Sequence, residues 1–331
     1  MSTIYEVAAL AGVSPATVSR VFNGLSVSSE KIRLVRDAAE ELKFTPNRTA
    51  RRLRNQSSEL IALLIPDIEN PFFTALARGV EDRAQQSGYS VVLCNTDDDP
   101  DKETKYLDIA VSENMAGVIL APASADGDLT HVVSRGRPMV AVDRSTGFDI
   151  DAVMVDNRAA GIAATNALFD AGYTRVACIA GPAGIETTEE RSLGWRQVVS
   201  RRGNPAGHDD YLQHANYRVD GGRAAMRALL DLPTPPDAVL TTNNLMGVGA
   251  LQILSEAGIT PPEFGVAVVG DLPFTTLSPD AITQVHLPAR HLGTTAASML
   301  MERIAGDTQP ARTVVLRASV TQGATPLPTA R

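Results

Sequence analysis

The chain has 331 residues, of which 44% are apolar and 21% are charged. This composition is typical of a soluble globular protein, and the length favours two or three domains. No apolar run approaches the roughly 18 residues of a membrane-spanning helix, and the N-terminal MSTIYEVAAL lacks the basic segment of a signal peptide, so we expect a cytoplasmic protein. The two cysteines end apolar runs and are expected to be buried thiols, and the five histidines show no metal-ligand spacing, so we expect no cofactor or metal.

Charge is distributed unevenly along the chain. Residues 1–56 contain nine Lys or Arg and five Asp or Glu, a net charge of +4, and the remaining residues contain 21 basic and 33 acidic side chains, a net charge of −12. This distribution is typical of a small module that faces a polyanion while a larger, acidic part is repelled from it.

The N-terminal residues predict three short helices. Thr3 followed by Glu6 forms the pattern of a capping box, and the helix that it opens ends at Gly12. Ser14, with Pro15 at the first helical position, begins a second helix. Two short helices joined by so tight a turn are typical of a helix-turn-helix, whose second helix lies in the major groove of DNA. With a third helix at about 29–43, the expected core positions are Ile4, Val7, Ala8, Ala11, Val18, Val21, Phe22, Ile32, Val35, Ala39 and Leu42.

The second helix keeps one face free of these core positions. Arg20 lies on that face, and a guanidinium can make a bidentate contact to guanine, although an arginine on a solvated helix face is inert by default. The surrounding motif favours the DNA contact for Arg20. The residues expected to face DNA are Ser14, Pro15, Ala16, Thr17, Ser19 and Arg20.

An arginine-rich segment, TPNRTARRLRNQSS at 45–58, precedes the first long apolar strand. Asn47 suits the N-cap of a helix over 48–54, in which only Ala50 and Leu53 are apolar. A helix of about two turns is shorter than the roughly 12 residues that an isolated helix needs in water. We therefore predict a hinge helix that forms only when phosphates neutralise its arginines; a solvated basic linker is the alternative.

Beyond residue 60, short apolar runs alternate with helical segments, which predicts βαβ units and parallel sheets with ligand sites at the carboxyl ends of the strands. A break near 155–157 divides the series into two lobes. A helix near 289–305 and a strand near 313–316 are expected to cross back, so that neither lobe is continuous in sequence.

The segments TIYEVAALAGVSPATVSRVFNG, PNRTARRLR and LLIPDIENPFF resemble the LacI/GalR family of bacterial transcription regulators, and the resemblance covers essentially the whole chain. It implies an α/β protein with an all-α helix-turn-helix head, a hinge helix and a two-lobed core of parallel sheets like that of periplasmic binding proteins. The implied boundaries are 1–46 for the head, 47–58 for the hinge, 59–156 plus about 288–316 for the first lobe, and 157–287 plus about 317–331 for the second.

The resemblance also implies the residues that contact DNA. Leu53 matches the leucine that paired hinge helices of a dimer insert between bases from the minor groove, which kinks the duplex. The implied DNA-binding residues are Thr3, Tyr5, Ser14, Pro15, Ala16, Thr17, Ser19, Arg20, Asn23, Asn47, Arg48, Ala50, Arg51 and Leu53.

The family resemblance also implies effector-binding residues at the ends of strands. Phe72 and Phe73 have a helix-packing alternative, and Asp143 with Arg144 could be a structural ion pair. The implied residues are Asn70, Phe72, Phe73, Asp143, Arg144, Arg191, Tyr217, Asn243 and Asp271.

The chain departs from the family pattern at three places near these residues. Asn244 stands where members often have aspartate, and Leu287 stands where they often have glutamine. The segment VVGDLPFTT is shorter than usual, and Asp271 within it is the nearest candidate for the acidic residue that members usually have at this strand end. Leucine in place of glutamine indicates a ligand with a less polar edge, or altered contacts between the lobes.

The predicted function is a homodimeric repressor that binds a pseudo-palindromic operator in double-stranded DNA and responds to a small sugar or nucleoside-like effector. A cytoplasmic sugar-binding sensor without direct gene regulation is the alternative. An enzyme is not expected, because the chain has no glycine-rich phosphate loop and no nucleophile elbow. The C-terminal segment has no heptad pattern that would predict a coiled-coil tetramer.

Overall fold

The computed structural model describes residues 3–22, 26–44, 58–203, 210–272 and 279–323. The contacts within it divide the chain into two compact units, Met1–Ser57 and Ser58–Arg331. The predicted hinge helix lies outside the described residues. None of the helices within the described ranges is long and apolar enough to cross a membrane.

The first unit contains the three predicted helices, α1 (Ile4–Leu10), α2 (Pro15–Phe22) and α3 (Ser29–Glu41). The capping box is present: the Thr3 amide donates to the Glu6 carboxylate at 2.6 Å, and the Glu6 amide donates to the Thr3 hydroxyl at 3.3 Å. Gly12 has a φ of +61°, a left-handed conformation that glycine adopts without steric cost, and it forms the turn into α2.

Small side chains make up the core of this unit. Ile32 is half-buried and lies outside the buried cluster, so its prediction as a core residue is wrong; Ala38, on the face of α3 that turns inward, is buried. The rings of Phe22 and Phe44 pack beside this cluster with centroids 5.8 Å apart. The buried residues are Val7, Ala8, Ala11, Val18, Val35, Ala38 and Ala39.

The second unit contains two six-stranded sheets, and the first sheet has the order β11-β5-β4-β3-β1-β2 with all neighbours parallel. We call this sheet and its helices the first lobe. In chain order, its elements are β1 (Leu60–Ile65), α4 (Pro71–Gln86), β2 (Ser90–Asn95), α5 (Pro100–Ser112), β3 (Gly117–Leu120), α6 (Thr130–Val133), β4 (Met139–Val142), β5 (Asp151–Val155) and, after the second lobe, α11 (Ala289–Ile304) and β11 (Thr313–Leu316).

The second sheet has the order β12-β10-β9-β8-β6-β7, and only its β10–β12 pair is antiparallel. This sheet and its helices form the second lobe. Its elements are α7 (Asn157–Asp170), β6 (Val176–Ala180), α8 (Glu186–Arg202), β7 (Leu212–His214), α9 (Val219–Leu230), β8 (Ala238–Thr241), α10 (Asn244–Glu256), β9 (Gly265–Val269), a 3-10 turn (Pro279–Ala281), β10 (Thr283–His286) and β12 (Ser319–Thr321).

The chain passes between the sheets three times, after β5, after β10 and after β11. The inner strands are buried at nearly every position because helices cover both faces of a parallel sheet, which explains why the sequence shows continuous apolar runs there. The predicted α/β core of parallel sheets is confirmed.

Two glycines allow α7 and α8 to pack unusually closely. A Cβ on Gly161 would lie 2.3 Å from the Arg191 carbonyl oxygen, and one on Gly194 would lie 2.4 Å from the Arg158 carbonyl oxygen. Any larger residue at either position would force the helices apart. This close approach sets where α8 holds the side chain of Arg191.

Candidate functional site

A cavity of about 140 Å³ lies in the cleft between the two lobes. Because both sheets are parallel at their centres, the loops that follow neighbouring strands meet at one edge of each sheet, and the two edges face each other across the cleft. The cavity is lined by Pro66, Asp67, Asn70, Phe72, Phe73, Asp97, Asp98, Asp143 and Arg144 of the first lobe, by Pro182, Thr187, Arg191, Asn216, Tyr217, Arg218, Asn243, Asn244, Val269 and Gly270 of the second, and by Leu287 at a crossover.

Eight of the nine residues expected to bind an effector line this cavity. The exception is Asp271, whose carboxylate pairs with Nδ1 of His286 at 2.5 Å and is 59% exposed. The eight that the fold brings together are Asn70, Phe72, Phe73, Asp143, Arg144, Arg191, Tyr217 and Asn243.

Arg144 and Asp143 form the floor of the cavity on the first-lobe side, and both are buried. The Arg144 guanidinium donates to the Asp98 carboxylate at 2.5 Å and to the Pro122 carbonyl oxygen at 3.1 Å. Its Nε lies 3.8 Å from Asp143 and has no hydrogen-bond partner among the described residues. Burial raises the pKa of Asp143, and the charges of Arg144 and Arg191 only partly oppose that rise.

Arg191 enters the cavity from α8 on the second-lobe side. Its Nε donates to Oδ1 of Asn157 at 2.8 Å, and its Nη1 donates to the Thr242 carbonyl oxygen at 2.7 Å. Burial lowers the pKa of this guanidinium despite the opposing effects of Tyr217 and Asp143. Since two of its nitrogens are held by fixed acceptors, the plane of the guanidinium is fixed before any ligand arrives, which is a preorganised arrangement for hydroxyl acceptors.

Tyr217 places an aromatic ring at the cavity from the loop after β7. Its hydroxyl hydrogen-bonds to Thr188 and, at 3.1 Å, to Thr187. A Cβ on Gly181 would lie 2.2 Å from the ring, so glycine at that position is what makes room for the tyrosine. The Tyr217 ring therefore packs against Gly181, and its hydroxyl is held by Thr187 and Thr188.

Left-handed backbone conformations concentrate at the cleft. Six non-glycine residues within the described ranges have positive φ, and four of them line the cavity: Asp97, Asp98, Asp143 and Tyr217. Such conformations cost free energy and persist where the surrounding structure imposes them, which is common at ligand sites.

Two asparagines at the cavity also cap helices. The Asn70 side chain accepts a hydrogen bond from the Phe72 amide at 3.0 Å at the start of α4, and Asn243 accepts one from the Met246 amide at 3.1 Å at the start of α10. In each case the oxygen is occupied by the helix, which leaves the NH₂ group as the part that can donate to a ligand.

Sequence reasoning missed the cavity residues Asp97, Asp98 and Arg218. The sequence NTDDDPDKE has the pattern of a solvated helix start, and Asp99 does cap α5. The two preceding aspartates, however, lie in the loop just after β2 and line the cavity. Their position at the carboxyl end of a parallel strand was the available signal.

Ion pairs and hydrogen bonds join the two lobes at the rim of the cleft. Arg218 of the second lobe donates to Glu69 at 2.8 Å and lies 3.6 Å from Asp67, both in the first lobe. Glu186 at the start of α8 accepts from the amide and hydroxyl of Ser145 at 2.6 and 2.8 Å. These contacts belong to one arrangement of the lobes, because a hinge motion that opens the cleft separates their partners.

The second head helix, α2, turns its buried Val18 inward and presents polar residues outward. Ser14, Pro15, Ala16 and Arg20 are exposed, and Thr17 and Ser19 are half-buried. The Ser14 hydroxyl accepts from the Thr17 amide at 3.2 Å, which satisfies a free amide of the first turn.

The remaining predicted DNA contacts divide into two groups. Thr3 and Tyr5 at the start of α1 are exposed, and Tyr5 is 71% exposed. The others lie outside the described residues: Asn23, Asn47, Arg48, Ala50, Arg51 and Leu53.

A helix-turn-helix unit with an exposed second helix, together with a two-lobed unit that encloses a polar cleft, defines a DNA-binding regulator with an effector-binding core. Family comparisons agree. Residues 3–47 match the model of bacterial regulatory proteins of the lacI family, and residues 58–322 match the periplasmic binding proteins and sugar binding domain of the LacI family. The chain belongs to the LacI family, and its predicted function as a transcriptional repressor with effector binding, rather than as an enzyme, is confirmed.

Individual relatives cover nearly the whole chain. The ribose operon repressor of Escherichia coli K12 is 35% identical over 317 residues, which is 94% of each protein. A solved complex of the transcriptional regulator CelR with cellobiose is 30% identical and covers 97% of this chain and 98% of its own, with a TM-score of 0.71. The lac repressor dimer bound to operator and an anti-inducer shares the fold, with a TM-score of 0.85 at 24% identity and 98% coverage of both chains.

Proposed function

We propose that this chain is a homodimeric repressor that binds a pseudo-palindromic operator through its helix-turn-helix heads, and that a small uncharged sugar in the inter-lobe cleft controls this binding. The observation that carries the proposal is the group of three buried, charged side chains that line the cavity. They are Asp143 and Arg144 of the first lobe and Arg191 of the second, and their contacts within the fold preorganise them. Carboxylates and guanidinium groups held in this way suit the hydroxyls of a sugar, which act as both donors and acceptors.

The charges around the cavity favour an uncharged ligand. Four aspartates and three arginines line it, and two of those arginines, Arg144 and Arg218, already pair with carboxylates. A phosphate would therefore have to displace a carboxylate from Arg144 or Arg218, or bind through Arg191 alone. A free sugar needs no such rearrangement, so we place sugar phosphates below free sugars in affinity.

The size of the cavity favours a single sugar unit. Its volume of about 140 Å³ is below the roughly 300–1,000 Å³ of pockets that hold drug-sized ligands. A monosaccharide therefore fits the space better than a nucleoside. Ribose is the first ligand to test, since the relatives that are 35% identical over most of the chain are named ribose operon repressors.

For the DNA contacts, we propose that Arg20 contacts a base in the major groove and that Ser14, Pro15, Ala16, Thr17 and Ser19 complete the contact surface, with Thr3 and Tyr5 beside it. Asn23, Asn47, Arg48, Ala50 and Arg51 complete the proposed set, and Leu53 is proposed to enter the minor groove when the hinge segment becomes helical. An effector that changes the lobe arrangement would then release the operator by preventing that helix from forming.

The test begins with selection of bound duplexes from a random pool by the full-length protein, which we expect to yield a two-fold symmetric site. A gel shift with that duplex is then repeated with ribose, ribose 5-phosphate and adenosine. At 100 times its dissociation constant, the effector also stabilises the protein by about 2.7 kcal/mol in a thermal-shift assay. A protein that binds a sugar but selects no duplex is a sensor without direct gene regulation, and the repressor proposal is then wrong.

Leu53→Ala tests the proposed hinge contact. Without the side chain that wedges into the base step, the cost of kinking the duplex is no longer offset, so we expect operator affinity to fall by about 2 kcal/mol, on the order of 30-fold. Effector affinity, measured by calorimetry, is expected to stay unchanged. Unchanged operator affinity in a footprinting titration would contradict the proposal.

A further inference from the structure

Three neighbouring residues that line the cavity have no polar side-chain atom. Val269 ends β9, Gly270 follows it, and Leu287 follows β10, which is the parallel neighbour of β9. The Gly270 amide donates to the Val285 carbonyl oxygen at 2.8 Å and so holds the two strand ends side by side. All three residues line the cavity. We call Val269, Gly270 and Leu287 the apolar wall.

Three polar side chains beside the apolar wall, those of Asn244, Asp271 and His286, are engaged elsewhere. The Asn244 side chain accepts from the Leu245 amide at 2.9 Å and donates to the Asp271 carbonyl oxygen at 3.3 Å. The Asp271 carboxylate pairs with His286, whose Nε2 in turn contacts the Thr321 hydroxyl at 2.9 Å. The side chains of Asn244, Asp271 and His286 therefore each already have a partner within the fold.

The opposite side of the cavity has the reverse character. Arg144 is buried there, and its Nε lacks a partner among the described residues. A buried donor without an acceptor is costly, so this side of the cavity favours a ligand oxygen. The cavity thus has one side with a buried donor that favours a ligand hydroxyl and one side on which the side chains of Val269 and Leu287 are aliphatic.

The Leu287 side chain is held in place by packing on two sides. Its side chain packs against the buried clusters of both lobes, at the point where the chain crosses from β10 to α11. A side chain held by two cores cannot swing aside to admit water or a polar group without loss of packing on both sides.

We propose that the effector is a deoxysugar, whose carbon edge without a hydroxyl lies against the apolar wall and whose remaining hydroxyls face Asp143 and Arg144. This inference rests on the proposed function, in which the effector is a free sugar. A hydroxyl pressed against the wall would lose its water without gaining a partner, whereas a CH₂ or CH₃ group would gain apolar contact. Leu287 is the residue that sets this preference.

The first experiment compares matched sugars by calorimetry on the full-length protein: ribose with 2-deoxyribose and 5-deoxyribose, and galactose with 6-deoxygalactose. We expect the deoxy member of at least one pair to bind tighter than its parent, on the order of 5- to 150-fold. If every parent binds as tightly as its deoxy counterparts or tighter, the inference is overturned while the sugar-controlled repressor stands. If no sugar in the panel binds, both proposals fail.

A second experiment changes the wall itself. Leu287→Gln supplies an amide that can pair with a hydroxyl, so the preference within the pair is expected to shift toward the parent sugar by at least tenfold. Val269→Thr keeps the side-chain shape and adds a hydroxyl, so it is expected to shift the preference toward the parent sugar as well. This variant provides the test if Leu287→Gln does not fold.

Leu193→Gln is the matched control. It makes the same chemical change on α8 at an exposed position that does not line the cavity, and it is expected to leave the preference unchanged. A preference that is the same in the wild type, in Leu287→Gln and in Val269→Thr would show that the wall does not determine it, and the inference would be wrong.

Discussion

The head and the two lobes use opposite packing strategies. Among its described residues, the head buries only alanines and valines completely, whereas the lobes bury Trp195, Tyr211 and many leucines and isoleucines. Since apolar burial scales with area, the head has a small stabilising term and the lobes have a large one. The head displays its functional residues on the outside of one helix, and the lobes enclose theirs between loops that are far apart in sequence.

This difference shows how the two functions are separated. A contact surface for DNA needs little more than a helix held at the right angle, which a core of about seven small residues supplies. A cleft that selects a small molecule needs fixed side chains on several sides, which two large sheets supply. We therefore expect changes in the head to lower operator affinity without changing effector affinity, and changes in the cleft to lower effector affinity without changing the operator affinity measured in the absence of effector.

Val18→Asp is expected to have the largest effect. Val18 is fully buried in the head, and an unpaired carboxylate there is expected to cost about 4 kcal/mol, which is more than so small a core can lose. Operator binding in a gel shift is expected to be abolished, and effector affinity is expected to remain as in the wild type. Loss of effector binding in this variant would show that the two regions are not separable.

Arg191→Ala makes the converse test in the cleft. The substitution removes a buried guanidinium that is held by Asn157 and the Thr242 carbonyl, and we expect effector affinity to fall by about 3 kcal/mol, on the order of 100-fold. Operator affinity measured without effector is expected to stay within about twofold of the wild type. Arg191→Lys keeps the charge but loses the fixed plane, so it is expected to restore only part of the effector affinity.

Arg20→Ala sharpens the comparison within the head. If Arg20 contacts a base, its loss costs about 1–3 kcal/mol at the matching base pair and relaxes the sequence preference there. Arg33 on α3 is also exposed, and Arg33→Ala is the matched control, expected to leave the base preference unchanged. Binding to a panel of operator variants measures both. An unaltered base preference in Arg20→Ala would remove Arg20 from the base-contacting set.

The smallest expected effect is a pH dependence confined to the cleft. Burial raises the pKa of Asp143 above its ordinary value of 3.8, and the ionised form is the better acceptor for sugar hydroxyls. Effector affinity is therefore expected to decline as the pH falls through this raised pKa, by up to about tenfold per pH unit below it. In Asp143→Asn this decline is expected to disappear. An equally steep decline in the variant would assign the titration to another group.

The raised pKa of Asp143 affects folding stability without a ligand in the opposite direction from effector affinity. A carboxyl group whose pKa is raised in the folded state binds its proton more readily there than in the unfolded chain. Its ionised form therefore destabilises the fold, and that cost is relieved as the pH falls through the raised pKa. At pH values above its raised pKa, Asp143 therefore provides a charged acceptor in the cleft at some cost in stability.

Sequence reasoning succeeded where the structure is local. The Thr3–Glu6 capping box, the Gly12 turn and Pro15 at the start of α2 depend on residues within a few positions of one another, and all three are present. It was less accurate for Ile32, which shares a helical stripe with Val35 and Ala39 but is only half-buried near the start of α3.

The cleft shows the limit of the same reasoning. The resemblance to the LacI family placed Asn70, Arg144 and Arg191 among the candidates, and the fold brings their side chains to one cavity. It could not show that Asp271 would turn toward His286, nor that Arg218 would reach across to Glu69. Both outcomes depend on which partner lies nearer after the chain has crossed between the lobes.

For this protein, the sequence by itself determined the three head helices, the alternation of strands and helices, the family and the class of function, because periodicity, capping and turn residues act over short distances. Only the tertiary structure decided which side chains share the cleft, which of them remain free for a ligand, and where the apolar wall lies. Those properties arise from contacts between residues as far apart as 149 positions, as in the Arg218–Glu69 pair, and no local pattern specifies such contacts.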